Sequence, residues 1–245
     1  PFYVSRLTSA NARVLELGCG TGRITLPLAK HCGFIQGIEL SEAMLEICRA
    51  KLRDTPALVG KVAVELGDIT KFDLGATFDL IIAPYRVLQN LETDDEVAGL
   101  FRCMRTHLAP GGTCILNVFN LRYPNAEALV DAWSQHVEVL DWERVTGTRT
   151  VTCSARKGKV SVQPLVIYPD LVYRVREGGE LLEEVVFPLT MRCYFPDDFA
   201  RLFSNHGFDI VERWGGYAGE TYGVGPELVI QARPSPNAGR FARSR

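Results

Sequence analysis

Three groups of residues have the types and spacing to hold a ligand. The first is Val14-Leu-Glu-Leu-Gly-Cys-Gly-Thr-Gly-Arg23, with glycines at 18, 20 and 22. Glycines that follow a strand and open a helix let the backbone pass close to a bound molecule. A nicotinamide fingerprint would place small residues at 18, 20 and 23. Here Arg23 fills the third place, so the spacing disfavours a dinucleotide. No Gly-Lys-Ser/Thr follows, which excludes a phosphate-cradling P-loop. The second group is Glu39, ending the next apolar run, where a carboxylate can accept hydrogen bonds from both hydroxyls of a ribose. The third is Gly67-Asp68-Ile69. Asp68 can accept from an exocyclic amine, while Ile69 and Met44 can cover the faces of a purine.

The elements that must position these groups alternate over residues 1–120. Val14–Leu17, Phe34–Leu40, Val62–Leu66, Phe78–Ala83 and Thr113–Asn120 read as strands. Ile24–His31, a helix capped by Ser41 with Met44, Leu45, Cys48 and Leu52 at helical spacing, and Asp94–Leu108 read as helices. That order predicts a parallel α/β sheet, doubly wound with helices on both faces. After a helix at Ala126–His136 the pattern becomes β-rich over 138–195. Its turn signals are Gly147, Gly158 and Gly178-Gly179. Leu165–Arg176 and Leu181–Tyr194 are expected to form a long hairpin, interrupted at Tyr168-Pro169-Asp170 by a bulge or edge. A helix at Pro196–Asn205 and strands at Phe208–Trp214 and Glu227–Ala232 bring the main sheet to seven. Residues 234–245, rich in Pro, Ser and Arg, are expected to be a disordered tail.

Together these groups resemble the class I S-adenosylmethionine-dependent methyltransferases. Glu16-Leu-Gly-Cys-Gly-Thr-Gly22 matches the family's first motif, and Leu108-Ala-Pro-Gly-Gly112 matches the turn before its fifth strand. The resemblance covers residues 1–120 and, in topology, 196–233. It implies a Rossmann-like methyltransferase fold with S-adenosyl-L-methionine as cofactor and S-adenosyl-L-homocysteine as product. It also implies roles. Gly18, Gly20 and the surrounding backbone would hold the methionine part, oriented by Glu16. Glu39 would bind the ribose, and Asp68 and Ile69 the adenine. Ala83 and Tyr85 would face the sulfonium, and Tyr3, Cys19, Arg23, Leu40 and Met44 complete the expected cofactor set. A catalytic domain is expected over 1–122 and 196–233. Residues 138–195 resemble the antiparallel sheet that caps the acceptor site in small-molecule methyltransferases, including sugar N-methyltransferases.

Methyl transfer from a sulfonium is an in-line displacement that asks chiefly for alignment. A neutral amine needs no activation, whereas a hydroxyl needs a base. Tyr85, Arg86, Asn90 and Asn120 are the catalytic candidates. Arg86, Phe119, Asn120, Tyr123, Arg192, Tyr194 and Tyr222 are the acceptor-pocket candidates. Gln89 shares the first of these segments, and Phe2-Tyr3, Tyr217 and Tyr222 are aromatic residues suited to closing the pocket. His31, His107 and His206 fall near helix ends, where they suit the helix dipole. His136 is open, and no histidine is assigned as base. No Cys/His cluster has metal-binding spacing, so no metal is expected.

The chain has 245 residues, a net charge of −2 and 47% hydrophobic residues. That balance lacks the basic surplus of a nucleic-acid binder, and no apolar run is long enough to span a membrane. Seven cysteines without CxxC spacing point to a reducing compartment, and with no signal peptide visible the expected location is the cytoplasm. The chain opens on Pro1 rather than Met, so its natural start is expected to lie upstream. The reading is therefore a small-molecule methyltransferase, with N-methylation preferred. A nucleic-acid or protein methyltransferase, or a non-catalytic S-adenosylmethionine-binding protein, remain open alternatives. In support of the first, Asp79–Tyr85 faintly resembles an adenine-methylating motif, though Ala83 lacks its acceptor side chain.

Overall fold

The computed structural model describes residues 1–135 and 137–236. The chain divides into two compact units. The first comprises Pro1–Leu88, Asp94–Asn120 and the chain from Phe195 onward; the second comprises Gln89–Thr93 and Leu121–Tyr194.

The first unit holds β1 (Arg13–Leu17), α1 (Thr25–Leu28), β2 (Phe34–Glu39), α2 (Glu42–Arg53), β3 (Val62–Leu66), β4 (Phe78–Ala83), α3 (Asp94–His107) and β5 (Leu108–Phe119). The second unit interrupts this sequence with α4 (Ala126–Trp133) and strands β6 to β12. The first resumes with α5 (Pro196–Asn205), β13 (Phe208–Trp214) and β14 (Glu227–Pro234). Its seven strands lie in the order β13-β14-β5-β4-β1-β2-β3. Only β14 runs against its neighbours, pairing antiparallel with both β5 and β13. β1 and β4 read as near-continuous apolar runs because both faces of the sheet are covered. Val14, Ile35, Leu80, Ile82, Ile115 and Val229 pack on one face with Leu28 and Ala29.

The helices follow their local signals. Ser41 caps α2 by accepting from the Met44 N–H at 3.4 Å, and Leu45 and Cys48 are its buried side chains. α3 begins on Asp94, Asp95 and Glu96 and ends on Arg105 and His107, which complements its dipole at both ends. α1 is shorter than the expected Ile24–His31. Beyond Leu28 the turns tighten, with the Lys30 N–H bonding the Pro27 carbonyl and the His31 N–H the Leu28 carbonyl. This three-residue spacing closes the helix early and turns the chain toward β2.

In the second unit, β6 (Glu138–Thr146), β7 (Arg149–Arg156), β10 (Asp170–Glu177) and β11 (Glu180–Pro188) form a four-stranded antiparallel sheet in the order β11-β10-β7-β6. β8 (Val160–Val162), β9 (Leu165–Ile167) and β12 (Met191–Arg192) form a second, three-stranded sheet. The expected long hairpin is thus divided between two sheets: β10 pairs with β11, and β9 with β12. Tyr168-Pro169 is the crossing point, because proline cannot donate to a ladder and its carbonyl instead takes the Leu189 N–H at 2.8 Å. Gln89–Thr93 joins this unit through bonds the sequence does not advertise. Gln89 Nε2 donates to the Arg192 carbonyl at 2.8 Å, and Tyr168 donates to the Glu92 carboxylate.

At the chain's end, the expected tail starts too early. β14 runs through Pro234, and the Ser235 N–H bonds the Gly207 carbonyl at 3.0 Å. Residues 237–245, the rest of that expected tail, lie outside the described residues, as does His136. No helix among the described residues is long and apolar enough to cross a membrane.

Packing between β2 and the loop after β1 is tight. A Cβ on Gly37 would sit 2.7 Å from Cys19 Sγ and 2.8 Å from its Cβ. Gly37→Ala is therefore expected to lower stability by about 1–3 kcal/mol, the usual cost of overpacking a closed core. The urea midpoint measures this, and an unchanged midpoint would contradict the close approach of Cys19 to β2.

Candidate cofactor and methyl-transfer site

The site is built at the C-terminal ends of β1, β2, β3 and β4. Gly18, Gly20 and Gly22 all have left-handed backbone, with φ of 72°, 53° and 79°, a region that favours glycine. The loop they form is stitched to β2. The Gly18 and Cys19 N–H groups both donate to the Ile38 carbonyl, at 2.8 and 3.0 Å, and the Gly20 N–H donates to Glu39 Oε2 at 2.9 Å. Glu39 Oε1 takes the Ser41 N–H at 2.9 Å, and the Glu39 carbonyl takes the Gly67 N–H at 2.9 Å. One residue thus joins the tips of three neighbouring strands.

Glu16 lies behind the loop, 2% exposed, and accepts from the Thr25 hydroxyl at 2.7 Å. Burial pushes its carboxyl up to about 8; the Thr25 bond works against that rise, and the nearby charge of Glu39 adds to it. Asp68 is half-buried beyond β3. Its Oδ1 accepts from the Thr70 N–H at 2.9 Å and hydroxyl at 2.7 Å, and Lys71 lies 3.3 Å from Oδ2. Burial pushes this carboxyl up, but the Thr70 and Lys71 contacts outweigh it and leave it below the ordinary range. Leu40 and Met44 are 73% and 47% exposed, and Ile69 is partly buried. A Cβ on Gly20 would meet nothing closer than Met44 Sδ, at 3.7 Å.

These features fit an adenosyl cofactor. The glycine loop leaves open space over Gly20, both Glu39 oxygens keep a further lone pair, and exposed apolar side chains flank the gap. The side chain of Cys19 is buried against Gly37, so what the residue can offer a ligand is backbone.

Ala83 is fully buried at the end of β4. Beyond it, Tyr85 and Arg86 have φ of 56° and 67°. Left-handed backbone costs a non-glycine residue about 1–3 kcal/mol and persists only where the surroundings impose it. Tyr85 is 56% exposed, with the Arg23 guanidinium 4.8 Å from its ring centroid. Arg86 Nε lies 3.0 and 3.3 Å from the two carboxylate oxygens of Glu227, and its Nη2 also donates to Glu227. Asn117 completes the group, with Oδ1 accepting from the Arg86 N–H at 3.3 Å and Nδ2 donating to Glu227 Oε2 at 2.9 Å. Neither Asn117 nor Glu227 stands out in the sequence. The one available signal for Glu227 is a carboxylate directly before the apolar run Leu228–Ile230.

Tyr3 is buried, its hydroxyl 3.3 Å from that of Tyr217, and Phe2 packs edge-on against Tyr3, Trp214 and Tyr217. Burial raises the Tyr3 phenol and pushes that of Tyr217 up to about 12.

Two of the acceptor candidates bond backbone carbonyls. Asn120 Nδ2 donates to the Gly223 and Gly225 carbonyls at 2.9 and 2.8 Å, bracing that turn. Tyr222 donates to the Pro196 carbonyl at 2.8 Å beneath the Arg213 guanidinium, on a groove beside the edge strand β13. These bonds anchor the two side chains to the backbone around them. Phe119 is partly buried at the end of β5, with the Arg86 guanidinium 5.7 Å from its ring. Asn90, Tyr123, Arg192 and Tyr194 all belong to the second unit, where the Arg192 guanidinium lies 5.6 Å from the Tyr194 ring. The His107 ring is engaged on both sides, Nε2 accepting from the Leu74 N–H at 2.9 Å and Nδ1 lying 2.8 Å from the Cys103 carbonyl. His206 closes α5 and stacks on Phe101. Among the described residues no cluster suits a metal ion.

The raised Glu16 carboxyl has a consequence for stability. Folding holds a proton there that the unfolded chain releases above about 4.5, so the contribution is fully present at lower pH and is lost as pH rises through about 8. The unfolding midpoint of the ligand-free chain is expected to fall over that window, with a slope of up to about 1.4 kcal/mol per pH unit from this group. Glu16→Gln should flatten the fall. An equal fall in both proteins, followed by thermal unfolding, would contradict the placement.

The family model described as a methyltransferase domain matches residues 14–112. A dTDP-4-amino-2,3,4,6-tetradeoxy-D-glucose N,N-dimethyltransferase from Saccharopolyspora spinosa is 33% identical over 112 residues, 46% of this chain and 42% of the relative. The match therefore spans less than half of that relative's length. A ubiquinone biosynthesis O-methyltransferase from Xanthomonas axonopodis is 27% identical over 184 residues, 75% of this chain and 69% of the relative. Among solved structures, the CcbJ methyltransferase from Streptomyces caelestis superposes with a TM-score of 0.76 at 25% identity, covering 95% of this chain and 87% of that one. Residues 14–112 thus match a methyltransferase domain, within a chain that shares its fold with the CcbJ methyltransferase.

Proposed function

We propose that the protein transfers the methyl group of S-adenosylmethionine to a nitrogen of a small-molecule acceptor. The observation that carries this reading is the left-handed glycine loop bonded to Glu39, in a chain similar to sugar N,N-dimethyltransferases. When bound, S-adenosylmethionine supplies a methyl group already activated by its positive sulfur. The protein's task is to fix geometry, and orientation alone can contribute about 7–11 kcal/mol. The loop backbone from Gly18 to Gly22 would hold the aminoacyl part, with Glu16 behind it. Glu39 would accept from the ribose hydroxyls, and Asp68 from the adenine amine. Tyr85, exposed and held at the end of β4, would lie toward the reacting centre.

No general base is assigned, which suits an amine acceptor that needs none before attack. An O-methyl acceptor is the second reading, favoured by the longer match to an O-methyltransferase. Acceptor choice is assigned to the second unit, on the resemblance of its sheet to those of small-molecule methyltransferases. With a net charge of −2, a polyanionic nucleic-acid partner is disfavoured. Seven free, buried cysteines support a reducing compartment such as the cytoplasm.

Calorimetric titration with S-adenosylhomocysteine tests the cofactor site. Glu39→Ala should cost about 1.5–3 kcal/mol of binding, since hydrogen bonds to a charged group are lost. Asp68→Ala should cost less. Unchanged affinity in Glu39→Ala would refute the ribose assignment. Radiolabelled methyl transfer should then proceed to amino-sugar nucleotides and not to their hydroxyl analogues; labelling of the hydroxyl analogues alone would favour the second reading.

A further inference from the structure

The strained dipeptide Tyr85-Arg86 is followed by Val87, whose methyl Cγ2 lies 2.6 Å from where a Cβ on Gly18 would stand. The segment leaving β4 therefore rests directly on the first glycine of the ligand loop. Its unusual backbone has an evident restraint. Glu227 grips the Arg86 guanidinium through both carboxylate oxygens, and Asn117 holds the Arg86 N–H and Glu227 at once. Asn117 and Glu227 come from adjacent strands, β5 and β14, and are 1% and 9% exposed. The ladder between those strands, with Glu227 opposite Phe119, is made by backbone and needs no carboxylate. A buried carboxylate is costly to desolvate, and an apolar residue of similar size would serve stability as well.

We propose that Glu227, supported by Asn117, is a positioning residue for methyl transfer: it clasps Arg86, imposes the left-handed turn at Tyr85-Arg86, and so seats Val87 on Gly18 of the cofactor loop. The clasp rests on the cofactor reading given above. It acts through Arg86 and Val87, and needs no contact of its own with cofactor or acceptor.

Titration with S-adenosylhomocysteine tests the clasp in the full chain. Glu227→Gln removes the charge and keeps the shape, and should weaken binding about tenfold as the turn relaxes. Adding Arg86→Gly to that variant should return affinity to within about threefold of the parent, because glycine holds a left-handed backbone without a restraint. A residue serving only stability, or touching the ligand itself, would not be rescued in this way. If Glu227→Gln fails to fold, Arg86→Lys at the half-exposed end of the pair takes its place; it loses the two-pronged contact and should show the same loss, whereas Arg86→Gly made alone should bind within about threefold of the parent. A parent that binds, with variants that bind equally well, overturns the clasp alone. A loss that Arg86→Gly does not relieve also overturns it. A parent that does not bind S-adenosylhomocysteine overturns the cofactor reading, and the clasp with it.

Discussion

The bond from the Gly20 N–H to the Glu39 carboxylate is the constraint on which the site depends. It fixes a loop of left-handed glycines against the end of the neighbouring strand. Glu39 then uses its other oxygen on the start of α2 and its carbonyl on the β3 tip. A single half-buried carboxylate thereby sets the spacing of the loop, the second strand and the third. Parallel sheets bind ligands beyond the carboxyl ends of their strands, and here those ends are joined by the bonds of Glu39. Bonds that fix a loop in this way lower the ordering cost of binding.

The four acidic groups around the site differ because their surroundings differ. Glu16 is sealed behind the loop with one hydroxyl partner, so its proton is held strongly. Asp68 is supported by Thr70 and Lys71 and keeps its charge. Glu39 is committed to backbone N–H groups, and Glu227 to a guanidinium and an amide. The left-handed pair at Tyr85-Arg86 is the opposite kind of feature, a local cost borne at the end of β4 and held by long-range bonds.

What the sequence made legible was what depends on local spacing. The seven strands, the glycine loop, Glu39 and Asp68 are all readable because each is announced within a few residues by apolar runs and turn residues. The hidden parts depend on pairing across long separations. Asn117 and Glu227 stand 110 positions apart, and their meeting requires β14 to insert antiparallel beside β5. Gln89–Thr93 lies a few residues beyond β4, yet its partners are Arg192 and Tyr168, far along the chain. Asn120 and Tyr222 are legible as residues near strand ends and loops, but their bonds to backbone carbonyls are not announced by spacing. The crossing at Pro169 was readable as an interruption, though not as a change of sheet.

A crystal structure of the full chain with S-adenosylhomocysteine tests the central claim most directly. The account predicts density over Gly20, with the ribose hydroxyls on Glu39 and the adenine beside Asp68 and Ile69. Density elsewhere, or none at saturating ligand, would contradict it.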